Sequence, residues 1–439
     1  MLNKWLYTRI DNSALVVFRV IFGLLIAIEA FGAIASGWIE RTLIEPQQTF
    51  NFIGFDFLQP LPGNGMLYYY AVMGIFGIMV MLGFKYRLSI LAYAIMWAGV
   101  YLMQKTSYNN HYYLLMLLCF VMFLLPAHRA ASVDAWRNPS LRAISMPRWV
   151  WLFIVIQMWI VYTYASAAKL YPDWWDGSFP TVLMKSKQGY WLVGKLLQMP
   201  WAHLSIAWFG FFFDLLIIPM LLWKRTRLGA FLAAIFFHLF NSFIFHIGIF
   251  PYLSLAFILF FFPSKNINKW FLRSKKEFYD KKEVVVPSAH KLISGMLILW
   301  LIIQVMLPVR HWFYQDDVLW TEEGHRLSWR MMLRAKSGRT HFKVVEKGTS
   351  DTIYIDKNKY LSRKQRGAVS SKPDLIWQFS QRLKKEYAAQ GKEVEVYVDS
   401  KVSVNGRPYE RFIDPKVDLG NEKWHHFKHH SWILPSQLD

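Results

Sequence analysis

Residues 14–34 read ALVVFRVIFGLLIAIEAFGAI, and a helix needs about 20 largely apolar residues to cross the hydrocarbon layer of a bilayer. The run holds Arg19 and Glu29 and ends without a small-residue cleavage site, so it reads as a retained first span and not as a secretory leader. Comparable runs follow at 66–83, 88–104, 111–126, 149–168, 204–223, 228–245, 249–263 and 291–309. The join between the runs at 228–245 and 249–263 is very short, and Pro251 makes a break plausible there, since proline cannot supply an interior helical hydrogen bond.

The composition of the whole chain agrees. Of 439 residues, 54% are hydrophobic and only 18% charged, against about a quarter charged in ordinary soluble proteins. The formal net charge of +21 would mark a nucleic-acid surface only if the basic residues formed a face on a soluble domain. Instead many sit in short clusters between apolar runs, which excludes nucleic acid as the natural partner and points to lipid. The single cysteine, Cys119, rules out an internal disulfide and any multi-cysteine metal or redox motif. Inside an apolar run, it reads as a small buried filler.

The basic clusters also give an orientation. Lys4 and Arg9 precede the first span, Lys85 and Arg87 join the second to the third, and Arg129, Arg137, Arg142 and Arg148 follow the fourth. Lys224, Arg225 and Arg227, then the tract from Lys265 to Lys282, continue the series. With nine spans all of them fall on one side, which the positive-inside rule assigns to the cytoplasm. Eight spans would put two clusters on opposite sides. The chain therefore divides into a transmembrane helical part at 1–310, a connecting segment at 311–335 and an extracytoplasmic α+β domain at 336–439.

In that last part, Phe342 to Glu346, Thr352 to Ile355 and Glu393 to Val398 have strand-like patterns, and Leu375, Phe379, Leu383 and Tyr387 recur every four residues. Pro373 and Gly391 bracket that helix.

Polar residues at span ends and inside spans are the candidate functional groups, because such groups are costly unless they face a cavity or one another. Asn109, Asn110 and His111 open the fourth span, Lys169 follows the fifth, His246 closes the seventh and His311 follows the ninth. The nine-span topology brings all four connections to one membrane face. A lysine at a span end ordinarily snorkels to the interface. Lys169, however, lies among Leu170, Tyr171, Trp174 and Trp175, where desolvation would favour a neutral amine able to act as a base. His111 and His311 read equally as hydrogen-bonding interface residues. His238 and Asn241 share a face of the seventh span, and a helix-to-helix hydrogen bond is the ordinary use of such a pair. Asp214 reads the same way, and Arg19 and Glu29 read as partners for other spans. The cluster His425, His426, His429 and His430 has spacings a metal could use, but no carboxylate or cysteine framework accompanies it in sequence and Lys428 lies in its midst, so no metal is expected.

Six ordered blocks then carry a resemblance: NNHYYL at 109–114, AKLYPDWWDG at 168–177, FHLFNSFIFHIGIFPY at 237–252, WTEEGHRLSWRMML at 320–333, SVNGRPYERFIDPKVDL at 403–419 and SWILP at 431–435. Together the chain resembles the vitamin K-dependent gamma-carboxylases, whose membrane part is an HTTM domain. The resemblance implies an integral membrane enzyme that couples oxygenation of reduced vitamin K by O2 to carboxylation of peptide glutamate with CO2. It implies that Lys169 deprotonates the quinol and that His111 and His311 lie near the reacting groups, with Asn110 organising the site. Trp174, Trp175, His238, Asn241 and His246 fall in the same blocks and are expected to bind substrate or quinone. The short C-terminal part and single cysteine depart from the animal members, which carry a disulfide between membrane and lumenal parts. They favour a bacterial inner-membrane protein using vitamin K hydroquinone or menaquinol. Rival readings are a quinol epoxidase that carboxylates nothing and a non-catalytic quinone-binding protein or transporter.

Overall fold

The computed structural model describes residues 2–276, 278, 283–349 and 351–436, so Lys281 and Lys282 of the basic tract lie outside the described residues. Among the described residues, seven helices are long and apolar enough to cross a membrane. They are α1 (Ser13–Ala35), α2 (Gly65–Leu82), α3 (Tyr86–Met103), α5 (Arg148–Ala167), α6 (Pro200–Leu222), α7 (Arg227–Phe245) and α9 (His290–Val309). Two further apolar helices, α4 (Asn110–Leu124) and α8 (Phe250–Phe257, continued by a 3-10 turn to Phe261), occupy the fourth and eighth expected spans and are shorter. The expected break before Pro251 is present. His246 and Gly248 take left-handed conformations there, with φ of 51° and 63°, and Pro251 sits in the first turn of α8.

Small residues set the closest helix contact. A Cβ built on Gly23 of α1 would lie 2.2 Å from the backbone nitrogen of Met81, and one on Gly77 of α2 would lie 2.8 Å from that of Ala27. Close backbone approach of this kind is how helices associate where lipid removes the hydrophobic drive. Arg19 is fully buried, and its hydrogen bonds among the described residues go to a turn and not to another span. Its guanidinium donates to the backbone oxygens of Ala127, Ala130 and Ala131 in the turn after α4. Cys119 is buried, as its apolar surroundings led one to expect.

The C-terminal domain is a four-stranded antiparallel sheet in the order β2-β1-β3-β4, with β1 Lys336–Glu346, β2 Thr352–Tyr354, β3 Val394–Val404 and β4 Glu410–Ile413. Alternation along β3 turns Val394, Val396, Val398, Val402 and Val404 inward. Two helices, α10 (Arg363–Val369) and α11 (Pro373–Ala389), cover the sheet. Leu375, Phe379 and Leu383 of α11 pack against it, and the Phe379 ring meets Phe342 edge-on at 4.8 Å. Pro373 opens α11, and Gly391 beyond its end has φ of 78°.

This domain is seated on the helical bundle by polar contacts. Asp374 in the first turn of α11 binds Lys105 at 2.5 Å, and Arg326 at 2.7 and 3.2 Å. Asp173, in the loop after α5, receives both terminal nitrogens of Arg407 at 2.5 and 2.7 Å and the Asn405 amide at 2.7 Å. Gln378 donates to the backbone of Asn51 at 3.0 Å.

Burial alone would raise the Asp374 carboxyl, but Arg326 and Lys105 outweigh it and hold it below the ordinary carboxylate range. Glu322 behaves alike: burial raises it, while Arg334, Lys336 and Lys372 bring it down to about 2. A depressed carboxylate gives stability that is complete above its unfolded pKa of about 4 and is lost as pH falls through the folded value. Thermal unfolding followed from pH 6 downward should therefore show the loss beginning below about pH 4. Asp374→Asn should cost about 3–5 kcal/mol at pH 7, because Lys105 and Arg326 are left buried without their anion. A flat profile to pH 3, or a neutral Asp374→Asn, would contradict this account of the seating.

Candidate functional site

Lys169 stands just past the end of α5, where its backbone N–H closes on the Ser166 oxygen at 2.9 Å. Its ammonium turns back onto the helix and donates to the backbone oxygen of Ala165 at 2.8 Å, a free carbonyl at the negative end of the helix dipole. On the other side Nζ meets Asp214 of α6 at 2.5 Å. The Trp174 ring lies 5.2 Å from Nζ and is held by its own N–H on the Ala207 oxygen at 2.9 Å. Both partners of the ion pair are buried, each side chain 7% exposed.

This pair forms one wall of a cavity of about 100 Å³ that His111, Trp174, His238, Asn241 and Phe250 also line. His111, in the first turn of α4, lies nearly flat on Phe250 with ring centroids 4.0 Å apart. His238 of α7 reaches the Tyr162 hydroxyl of α5 through Nε2 at 3.1 Å, the helix-to-helix bond expected of it, while its Nδ1 has no partner among the described residues. Met331 and Met332 close the cavity from the connecting segment.

The other candidates sit elsewhere. Asn110 donates to the backbone oxygen of Arg330 at 2.8 Å and accepts from the Tyr108 hydroxyl at 2.9 Å, fastening the connecting segment to α4. Trp175 turns away from the cavity to pack on Trp208 and Phe211. His246 is the exposed cap of α7 and meets the Tyr190 hydroxyl at 3.3 Å. Glu29 lines a different cavity, with Tyr112 and Gly248. His311 faces a separate cavity of about 300 Å³, together with Tyr171, Asp317 and Arg330. Its Nδ1 lies 2.6 Å from the Pro308 oxygen, so that nitrogen carries the proton and Nε2 is left to accept from Arg330 Nη1 at 3.2 Å.

The connecting segment has little regular structure after Thr321, and Glu322, Leu327, Trp329 and Met332 all have positive φ. Such conformations persist only where surroundings over-determine them. Here Arg334 grips Glu322 through two nitrogens and reaches His325 at 2.8 Å, Arg326 grips Asp374, and Glu323 accepts from the His430 backbone at 3.1 Å. Glu323 also binds His429 at 2.7 Å, supplying the carboxylate that the histidine cluster lacks in sequence. Among the described residues no group of three or more His, Cys, Asp or Glu is placed to hold a metal. Gly324 is required where it stands: a Cβ there would lie 2.8 Å from both Cα and Cβ of His311.

The structure adds what the reading of an isolated, desolvated lysine lacked: Asp214 stands against Lys169 and compensates its charge inside the cavity. Sequence spacing cannot pair two residues 45 apart, yet one signal was available: two costly charges within one helical bundle are expected to find each other.

The geometry thus defines an integral membrane protein with a charged pair in a largely apolar cavity, roofed by a segment that leads into a soluble domain. Residues 7–265 match the HTTM domain, and residues 289–439 match the vitamin K-dependent gamma-carboxylase lumenal domain. The chain belongs to the vitamin K-dependent gamma-carboxylase family. Membership brings a carboxylase-like function, a vitamin K cofactor, a glutamate-containing substrate and an extracytoplasmic placement of the soluble domain. No solved structure matches the chain.

Lys169→Leu should destabilise the protein by about 3–5 kcal/mol, since Asp214 is left as a buried unpaired charge. The Lys169→Leu, Asp214→Leu double variant should recover most of that loss. Unfolding midpoints in one detergent check this, and additive losses would refute the pairing.

Proposed function

We propose that the protein is a quinol-dependent carboxylase of peptide glutamate, with Lys169 as the general base that starts the reaction. The buried Lys169–Asp214 pair beside the His111, Phe250 and Trp174 rings carries this reading. A quinol is a flat, largely apolar ring with a phenolic proton, and this donor set suits both features: aromatic faces for the ring and an amine for the proton. Met331 and Met332 are the adaptable part of the wall, because methionine side chains repack at little cost.

When bound, the quinol supplies the electrons for O2 and a base strong enough to take a carbon-bound proton from glutamate. For Lys169 to act as the base, its ammonium first passes a proton to Asp214, which leaves the net charge of the pair unchanged, and the free amine then accepts the phenolic proton. His111 and His238 border the same space as polar groups that tolerate a dry wall. His311 and Asn110 hold the connecting segment over it. Exclusion of water by the aromatic and methionine lining protects a strong base from quenching. The basic ends at Arg129, Arg137, Arg142 and Lys224 support a cytoplasmic N-terminus, in a bacterial inner membrane where vitamin K hydroquinone or menaquinol is the reductant.

Purified protein in nanodiscs, given reduced vitamin K, O2, labelled CO2 and a glutamate peptide, should form quinone epoxide and labelled peptide together. Epoxide without label would replace this reading with a quinol oxygenase, and neither product, with menaquinol also silent, would leave a binding protein. Lys169→Arg should lower epoxide formation by about 100-fold or more, because the guanidinium stays protonated. Retained turnover in that variant would remove Lys169 from the mechanism.

A further inference from the structure

The arginines of the connecting segment and sheet domain that face the bundle mostly have an anion. Arg326 holds Asp374, Arg334 holds Glu322 and Arg407 holds Asp173, each with two nitrogens. Arg330 does not. It is 8% exposed, its Nη1 is spent on the neutral Nε2 of His311, and its Nε has no partner among the described residues. The carboxylates that share its cavity are engaged with backbone: Asp317 accepts from Leu319 at 2.5 Å, and Asp316 accepts from the Ser436 N–H at 2.6 Å. A guanidinium kept dry without its own ion pair is costly in a folded protein.

The place of this cavity matters as much. Ala168, Leu170 and Tyr171 line it, while Lys169 lines the other cavity. Likewise Arg330 lines it, while Met331 and Met332 line the other. The wall between the two spaces is therefore a single thickness of chain on both sides, pinned where the Tyr171 hydroxyl donates to the Leu333 oxygen.

We propose that Arg330 binds the side-chain carboxylate of the substrate glutamate and stabilises the charge that develops there. This rests on the carboxylase reading. Loss of the γ-proton would pass the C–H electron pair into the carboxylate and make a doubly charged enediolate, and because proton transfer needs contact, the Met331–Met332 wall would have to part for the base formed in the bundle cavity to reach that carbon. The γ-carbon then forms the new bond to CO2, and the charge ends on two carboxylates. No oxidant is consumed in this step. A fixed cation at the carboxylate favours the transition state over the singly charged reactant.

The test uses the full protein in nanodiscs with two short peptides that differ only in one glutamate or glutamine. Wild type should bind the glutamate peptide about 10- to 100-fold more tightly, the size expected for charge-assisted hydrogen bonds. Arg330→Gln should bring that ratio to about one and raise the glutamate-peptide KM by a similar factor. Arg330→Lys should keep only part of the preference, since an ammonium cannot match both oxygens. Equal binding of both peptides by wild type, an unchanged ratio in Arg330→Gln, or full wild-type affinity in Arg330→Lys would each overturn the proposal. If Arg330→Gln fails to fold, the wild-type ratio and Arg330→Lys still decide it. Loss of the carboxylase reading is seen separately, as wild type that forms no labelled peptide whichever peptide it binds.

Discussion

Backbone that is not helical can lie at the end of a membrane bundle only if protein, not lipid, satisfies its polar groups. The stretch from Glu322 to Arg334 meets that constraint with ion pairs. Glu322 with Arg334 ties the two ends of the stretch to each other, Arg326 with Asp374 and Glu323 with His429 nail it to the sheet domain, and Asn110 and Tyr108 nail it to the bundle at the Arg330 oxygen and the Leu327 N–H. Most of these charges are buried, so each is worth having only because its partner is present. The segment is consequently held in backbone conformations that it would not choose alone, and Met331 and Met332 line the Lys169 cavity as a result.

The same rule organises the cavity beneath. A lysine and an aspartate come from helices whose other faces are apolar, and neither would be tolerated there alone. Paired, they give a site whose two charges cancel. Around it the lining is rigid on one side and soft on the other. Trp174 is locked by its hydrogen bond to Ala207 and His111 by its stack on Phe250, whereas the roof is methionine.

Much of this was legible in the amino-acid order, and the failures have physical causes. Leu375, Phe379, Leu383 and Tyr387 announced α11 because one face of that helix is apolar and Pro373 and Gly391 mark its ends. The strand expected at Glu393 to Val398 runs on to Val404, and the alternation is hidden because Ser400 and Ser403 occupy buried positions. Ser400 is satisfied there by the Thr340 hydroxyl at 2.7 Å. β4 is too short to show a period, and α10 is only seven residues long. In the membrane part, hydrophobicity located the helices but could not say which ionisable groups share a space. Lys169 was conspicuous because aromatic residues surround it locally; Asp214 was not, because pairing across helices leaves no periodic trace. Arg330 was hidden differently: it lies in a segment whose shape comes from side-chain pairs and not from any helical or strand pattern.

The consequence is a division of labour between adjacent residues. Extended or irregular backbone sends successive side chains to different sides, which a helix cannot do within one turn. At Arg330 and Met331 the segment presents a cation to the space beneath the soluble domain and a thioether to the space within the bundle. The turn at Lys169 and Leu170 makes the same switch in the facing wall. A lipid-soluble reactant and a water-soluble one can be held on opposite sides of such a partition and still be separated by one layer of chain. That geometry requires irregular backbone at the membrane boundary, and the buried ion pairs are what make irregular backbone stable there.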